Sequence, residues 1–228
     1  MRIAILDLCL PHAEFDRHGT IAEMVLAWLA PHMPEATFTS LHIATGVPLP
    51  APAAFDGYVL TGSEKGVYDE AAWMAPLRSF LLELKAARIP TFGVCFGHQI
   101  MADTFGGKAE KVDEGFVIGA RTYQGSNGEF AAHAMHQDQV TVVPPGAKVT
   151  ASASYCPVAA LAYDFPAASL QFHPEYRRNF VSHAVDLFEG DMISAEEAAA
   201  SRESFAMDVA EDLQGAEAAA FFRDALST

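Results

Sequence analysis

The sequence contains few of the residues that mark exported, disulfide-linked or nucleic-acid-binding proteins. Its three cysteines are an odd number and lie far apart, so they predict neither a disulfide framework nor a Cys-x-x-Cys metal site, and a reducing cytoplasm is the expected location. The five lysines are scattered and the formal net charge is −15, so binding to phosphate backbones is not expected. No apolar run is long enough to span a bilayer, and the first residues show no leader pattern, so neither membrane association nor export is expected.

Apolar residues, by contrast, make up 51% of the 228 residues, which is enough to bury a substantial core. We expect one α/β domain over residues 1–228. In the first half, short apolar runs alternate with amphipathic stretches, a pattern typical of strand and helix units around an open, mostly parallel sheet with flanking helices. The predicted strands are 3–8, 57–60 and 89–94, and the predicted helices are 20–30, 72–87 and 99–105.

The second half changes first to strand-like and then to helical patterns. Turn residues separate five predicted strands, 117–123, 139–143, 148–154, 158–164 and 168–172. From about residue 177 the chain is rich in Ala and Glu at helical spacing. We expect extra C-terminal helices, with an extension over about 191–228 that packs at the flank of the sheet rather than serving as a partner-binding tail.

One cysteine lies between two glycines at a predicted strand-to-helix junction, in Gly93-Val94-Cys95-Phe96-Gly97. This spacing is that of a nucleophile elbow, in which flanking glycines allow a sharp turn that projects the nucleophile from the sheet edge. The N-terminus of the following helix favours a thiolate, and the Phe96 N–H is placed to bind a developing oxyanion. The pattern alone leaves a second interpretation open, in which Cys95 is a small buried residue at a tight turn.

A cysteine nucleophile needs a base and a group that orients the base, and Gln171-Phe172-His173-Pro174-Glu175 supplies both. His173 ends a predicted strand, and the carboxylate of Glu175 falls on the same side of an extended chain. His133 and His136 are three residues apart, but no third ligand is evident nearby. We therefore predict no metal site and no cofactor.

Together, the Gly93 to Gln99 segment and the Gln171 to Glu175 segment resemble the class I, triad-type glutamine amidotransferase family, in particular its stand-alone single-domain members. The resemblance implies a flavodoxin-like fold. It also implies that Cys95 is the nucleophile, His173 the general base and acid, and Glu175 its orienting carboxylate.

The same resemblance assigns residues around the triad. It implies that the N–H groups of Gly62 and Phe96 form an oxyanion hole, and that Gln99 holds the amino-acid end of the substrate. The turn at Gln137 and Asp138 falls where family members line the substrate pocket. Gln137 stands where many members have glycine, which leaves the main-chain contacts at this turn open.

The function implied is hydrolysis of a γ-glutamyl amide through a thioester, with a small γ-glutamyl compound as substrate. No lysine is followed by Ser or Thr, so no phosphate-binding loop is visible. Two alternatives stay open. The chain could be the glutaminase subunit of a separate ATP-dependent synthetase, or a catalytically silent binding or regulatory module; the retained triad residues count against the second.

Overall fold

The computed structural model describes residues 1–227, and its main sheet has nine strands. Five neighbouring strands run parallel. In spatial order they are β2 (Thr37–His42), β1 (Arg2–Asp7), β3 (Gly57–Leu60), β4 (Thr91–Val94) and β11 (Ala167–Leu170). The predicted open, mostly parallel sheet is confirmed, and the carboxyl ends of these parallel strands share one edge.

The sheet continues beyond β11 with four strands whose pairs are all antiparallel. They are β10 (Cys156–Ala162), β9 (Lys148–Ala153), β6 (Val117–Gly125) and β7 (Gly128–His136). A separate antiparallel pair is formed by β5 (Lys108–Lys111) and β8 (Asp138–Val142).

Helices cover both faces of the sheet, because successive residues of a central strand point to opposite sides. Ile3 and Ile5 of β1 enter one apolar cluster, whereas Ala4 and Leu6 enter the other. The helices are α1 (Ile21–Leu29), α2 (Met74–Ala86), α3 (Phe96–Thr104), α4 (Arg178–Phe188), α5 (Ala195–Ser204) and α6 (Glu211–Leu226). Within the described residues, no helix combines the length and apolar character that a membrane crossing requires.

The extra C-terminal helices are present and contact the rest of the fold. The Ala210 N–H, just before α6, donates to the Ala131 carbonyl of β7 at 2.8 Å. Phe222 of α6 is fully buried and packs against Phe92 of β4, with ring centroids 6.4 Å apart. These helices therefore flank the sheet, as predicted.

Three strands were not predicted from the sequence: β2, β5 and β7. Strand β2 has the sequence Thr-Phe-Thr-Ser-Leu-His and no fully buried residue. It was missed because its apolar and polar residues do not alternate cleanly. Strand β5 is Lys-Ala-Glu-Lys and largely exposed, and β7 carries alanines and histidines in place of large β-branched residues.

Two predicted boundaries near the candidate site were wrong. Helix α3 begins at Phe96 and not at Gln99, because it starts directly at the elbow. The last strand ends at Leu170 and not at Phe172. His173 thus lies beyond the strand, where its N–H donates to the His133 carbonyl at 2.8 Å in an isolated antiparallel bridge.

Candidate active site

Cys95 stands between β4 and α3 with a φ of 51° and a ψ of −105°. Among the described non-glycine residues, only Arg88 also has a positive φ. A Cβ at Gly93 would lie 2.6 Å from the backbone of Gly97, and a Cβ at Gly97 would lie 2.7 Å from the Leu60 carbonyl oxygen. Both glycines are therefore required by the close approach of strand and helix, and the backbone has the strained turn of a nucleophile elbow.

The turn after β3 is held by hydrogen bonds on both sides of Gly62. The Thr61 carbonyl accepts from the Gly97 N–H at 3.1 Å. The Thr61 hydroxyl donates to the Gly62 carbonyl at 2.9 Å and accepts from the Leu8 N–H at 2.9 Å. Because a peptide unit is planar, fixing these two carbonyls also fixes the N–H on the opposite edge of each plane.

Gly62, Cys95 and His173 meet at one point. A Cβ at Gly62 would lie 3.3 Å from His173 Cε1 and 3.7 Å from Cys95 Cβ. The Phe96 N–H belongs to the first residue of α3, so no carbonyl within that helix can accept it. The structure thus brings both residues predicted for the oxyanion hole beside the predicted nucleophile.

His173 and Glu175 form a buried pair. His173 Nδ1 lies 2.8 Å from Glu175 Oε1, and each residue is only 2% exposed. The Tyr176 ring stacks on the imidazole with centroids 4.0 Å apart and planes 4° apart, which fixes the plane of the ring. His173 Nε2 has no hydrogen-bond partner among the described residues, so it is the nitrogen that remains for a proton transfer.

The charges around His173 favour its protonated form. Burial opposes protonation, but the neighbouring Cys95 sulfur and Glu175 carboxylate outweigh it and raise the pKa of His173 to about 10. The two other histidines nearby behave differently. Burial, together with the His173 charge, lowers the pKa of His133 to about 4 and that of His136 to about 3, so both are neutral at pH 7.

Two further groups contact the Cys95 sulfur. Gln171 Nε2 lies 3.6 Å from Sγ, and the Met135 carbonyl oxygen lies 3.9 Å from it. Neither was identified as a site residue from the sequence. The position of Gln171 two residues before His173 was a usable signal, because alternate residues of an extended chain share a side.

The three residues predicted to bind substrate take different positions. Gln99 is buried, and its amide nitrogen donates to the Asp138 carbonyl at 2.9 Å and to Gln171 Oε1 at 3.2 Å. The Asp138 carboxylate accepts from the Tyr68 hydroxyl at 3.2 Å, and burial raises the pKa of this carboxyl group. Gln137 lies between β7 and β8 without a positive φ, so glycine is not required there.

Within residues 1–227, one group of three potential metal ligands lies close together. One ligand atom each from Cys9, His12 and Glu64 lies within 4.8 Å of the other two, but His12 and Glu64 are exposed and the Lys65 ammonium lies 3.9 Å from Glu64. His133 and His136 are buried, and among the described residues their ring nitrogens have no hydrogen-bond partner. These residues do not form a complete ligand set.

Two kinds of protein are among those similar to this chain in sequence. GMP synthase (glutamine-hydrolyzing) of Aromatoleum aromaticum is 35% identical over 136 residues, which are 52% of this chain and 25% of that protein. Gamma-glutamyl peptidase 3 of Arabidopsis thaliana is 29% identical over 147 residues, which are 58% of this chain and 59% of that protein. The matched part of the chain therefore spans a quarter of the first relative and less than two thirds of the second.

Solved structures share the fold over almost the whole chain. A glutamine amidotransferase from Thermotoga maritima superposes with a TM-score of 0.76 at 16% identity, covering 100% of this chain and 98% of that chain. One from Methylobacillus flagellatus gives 0.72 at 19% identity, covering 99% and 93%. The family model "Glutamine amidotransferase class-I" matches residues 50–184, which are more than half of the sequence. The chain belongs to the class I glutamine amidotransferase family.

Proposed function

We propose that this protein hydrolyses a γ-glutamyl amide, either glutamine or a γ-glutamyl peptide, with Cys95 as nucleophile. The observation that carries the proposal is the convergence of Cys95, the His173–Glu175 pair and Gly62 at the carboxyl edge of the parallel strands. The likeness to GMP synthases and gamma-glutamyl peptidases supports the same chemistry, since both names describe proteins that act on γ-glutamyl groups.

The reaction follows from the roles of these groups. The Cys95 thiolate attacks the side-chain amide carbon, and the carbonyl oxygen becomes an oxyanion that accepts from the N–H groups of Gly62 and Phe96. His173 Nε2–H protonates the departing nitrogen as the C–N bond breaks, which releases ammonia or an amine and leaves a γ-glutamyl thioester. Water then attacks the thioester, His173 takes its proton, and the C–S bond breaks to release glutamate.

The amino-acid end of the substrate would lie between α3 and the turn before β8. The Asp138 carboxylate supplies a negative charge for an α-ammonium group, with Tyr68 hydrogen-bonded to it. Both hydrogens of the Gln99 amide are engaged with protein groups, so its oxygen is the atom left for the substrate. Gln137 is partly exposed beside Asp138 and would line the same pocket.

The stand-alone hydrolase is favoured over the synthetase subunit by the turn at Gly62. A subunit glutaminase can keep its oxyanion hole misaligned until a synthetase docks. Here the peptide units on both sides of Gly62 are held by Gly97 and by the Thr61 hydroxyl within the same chain. The synthetase subunit remains the alternative, because the GMP synthase relative extends far beyond the matched region.

The direct experiment is incubation of the purified chain with glutamine and a panel of γ-glutamyl peptides, with released glutamate as the readout. Glutamate release that disappears in Cys95→Ser supports the proposal. Release only after addition of a purified ATP-dependent synthetase would favour the subunit. A chain that releases no glutamate under either condition, yet binds γ-glutamyl compounds, would be the silent module.

A further inference from the structure

Gln171 lies beneath the proposed nucleophile and is completely buried. It follows β11 directly, and its backbone N–H donates to the Ala159 carbonyl of β10 at 2.8 Å, which fixes the residue to the sheet. Its side-chain nitrogen reaches the Cys95 sulfur at 3.6 Å. A buried amide with an anchored backbone and one end on a sulfur atom has little freedom to move away.

The hydrogen-bond network determines which end of the Gln171 amide faces the sulfur. The Asp138 carbonyl can only accept, so the end of Gln99 that lies 2.9 Å from it is the NH₂ group. The same NH₂ group lies 3.2 Å from Gln171, so the Gln171 atom there is its oxygen. The NH₂ group of Gln171 is then the end that faces Cys95, and a flipped amide would place two donors against each other.

Besides His173, two groups contact the sulfur, and they have opposite effects on its charge. The Met135 carbonyl, 3.9 Å away, can accept a hydrogen bond from the thiol but repels a thiolate. The Gln171 N–H group can only donate, so it stabilises the sulfur when it is negatively charged. Cys95 is 6% exposed, which leaves little water to take over this role.

We propose that Gln171 is a further catalytic residue, which donates to the Cys95 sulfur and favours the thiolate, and that Gln99 is the positioning residue that orients the Gln171 amide. This inference rests on the proposed function, because it concerns the same nucleophile. It adds an uncharged N–H donor to the sulfur, which the charged imidazolium of His173 also faces.

The test is the rate of Cys95 alkylation by iodoacetamide as a function of pH, with the label at Cys95 read by peptide mass spectrometry. Gln171→Glu places a carboxylate against the sulfur, and we expect the midpoint of the profile to rise by about one pH unit or more. Gln171→Met removes the donor at similar volume, and Gln99→Met frees the amide to rotate. Both are expected to raise the midpoint by a smaller amount.

Gln139→Glu is the matched control, since Gln139 is also buried but donates to the Tyr155 carbonyl at 2.9 Å. Near-UV circular dichroism checks the fold of each variant, and Gln171→Met keeps the test open if the buried glutamate prevents folding. An unchanged midpoint in folded Gln171→Met, or an equal rise in Gln139→Glu, overturns the proposal. Alkylation needs no substrate, so failure to find a γ-glutamyl substrate would contradict the proposed function without deciding the role of Gln171.

Discussion

At the scale of the residue, the three cysteines differ in their surroundings. Burial is the main cause that raises the pKa of the Cys156 thiol to about 12, and the charge of the nearby Cys95 is a smaller one. Burial and the carboxylates of Glu64 and Asp7 also raise the pKa of Cys9. Both thiols are therefore protonated at pH 7. An exposed imidazole, that of His12, lies near Cys9, whereas Cys95 lies against His173, whose imidazole is buried and paired with Glu175.

Cys95→Ser should abolish measurable glutamate release while the fold is retained, because a serine hydroxyl lacks the acidity that thiolate attack requires. The measurement is glutamate release by the purified variant, with the thermal melting temperature as the check on folding. Cys9→Ser and Cys156→Ser serve as controls and should retain activity. Near-normal turnover by Cys95→Ser would contradict the assignment of the nucleophile.

Glu175→Gln should slow turnover by about a hundredfold or more, since an amide cannot stabilise the imidazolium as a carboxylate does. It should also change the pH dependence. The carboxylate is one of the causes that raise the pKa of His173, so its loss lowers that pKa, and the protonated His173 needed for amine departure is lost at a lower pH. A pH profile of kcat/KM measures both effects; an alkaline limb that stays in place counts against this role of Glu175.

At the scale of the element, four of the five parallel strands, β1, β3, β4 and β11, could be predicted from sequence, since each is a largely buried apolar run. The ends of helix α3 and strand β11 next to the candidate site could not be predicted. Helix α3 was placed three residues late because the Phe96-Gly97-His98 segment has no helical apolar pattern of its own. Strand β7 was missed because it carries alanines and histidines in place of large β-branched residues.

The same distinction applies to the candidate site. Cys95, His173 and Glu175 could be proposed from local motifs. One motif contains the nucleophile between its glycines, and the other contains both the base and its orienting carboxylate. Gln171 lies in the second of these motifs, but its role could not be proposed from the motif, since the orientation of its amide depends on Gln99, which is 72 residues distant in sequence. Contacts of that kind arise only when the strands come together.

The turn between β3 and α2 gives a prediction for Thr61. Thr61→Val keeps the shape but leaves the Leu8 N–H and the Gly62 carbonyl without the hydroxyl. Leaving a buried group unpaired costs about 1–3 kcal/mol of stability. We expect kcat/KM to fall about tenfold or more as Gly62 loses its alignment. Thr61→Ser retains the hydroxyl and is the control; equal kcat/KM values for the two variants would contradict the prediction.

At the scale of the whole molecule, the proposed nucleophile, base, orienting carboxylate and oxyanion donors all lie in one chain. We therefore expect the purified chain to hydrolyse at least one γ-glutamyl compound without ATP or a partner protein. Glutamate release is measured with and without ATP and a purified synthetase. If release stays at background for every compound and rises steeply only with an ATP-dependent partner, the stand-alone hypothesis is wrong.

The hydrogen bonds on both sides of Gly62 also have a consequence for the time course of the reaction. An enzyme that must rotate a peptide unit before its first turnover shows hysteresis, with a lag that saturating substrate shortens. Here the Gly97 N–H already donates to the Thr61 carbonyl, and the Thr61 hydroxyl donates to the Gly62 carbonyl. Progress curves of glutamate release recorded over many turnovers should therefore show no slow lag, and Thr61→Val should introduce one.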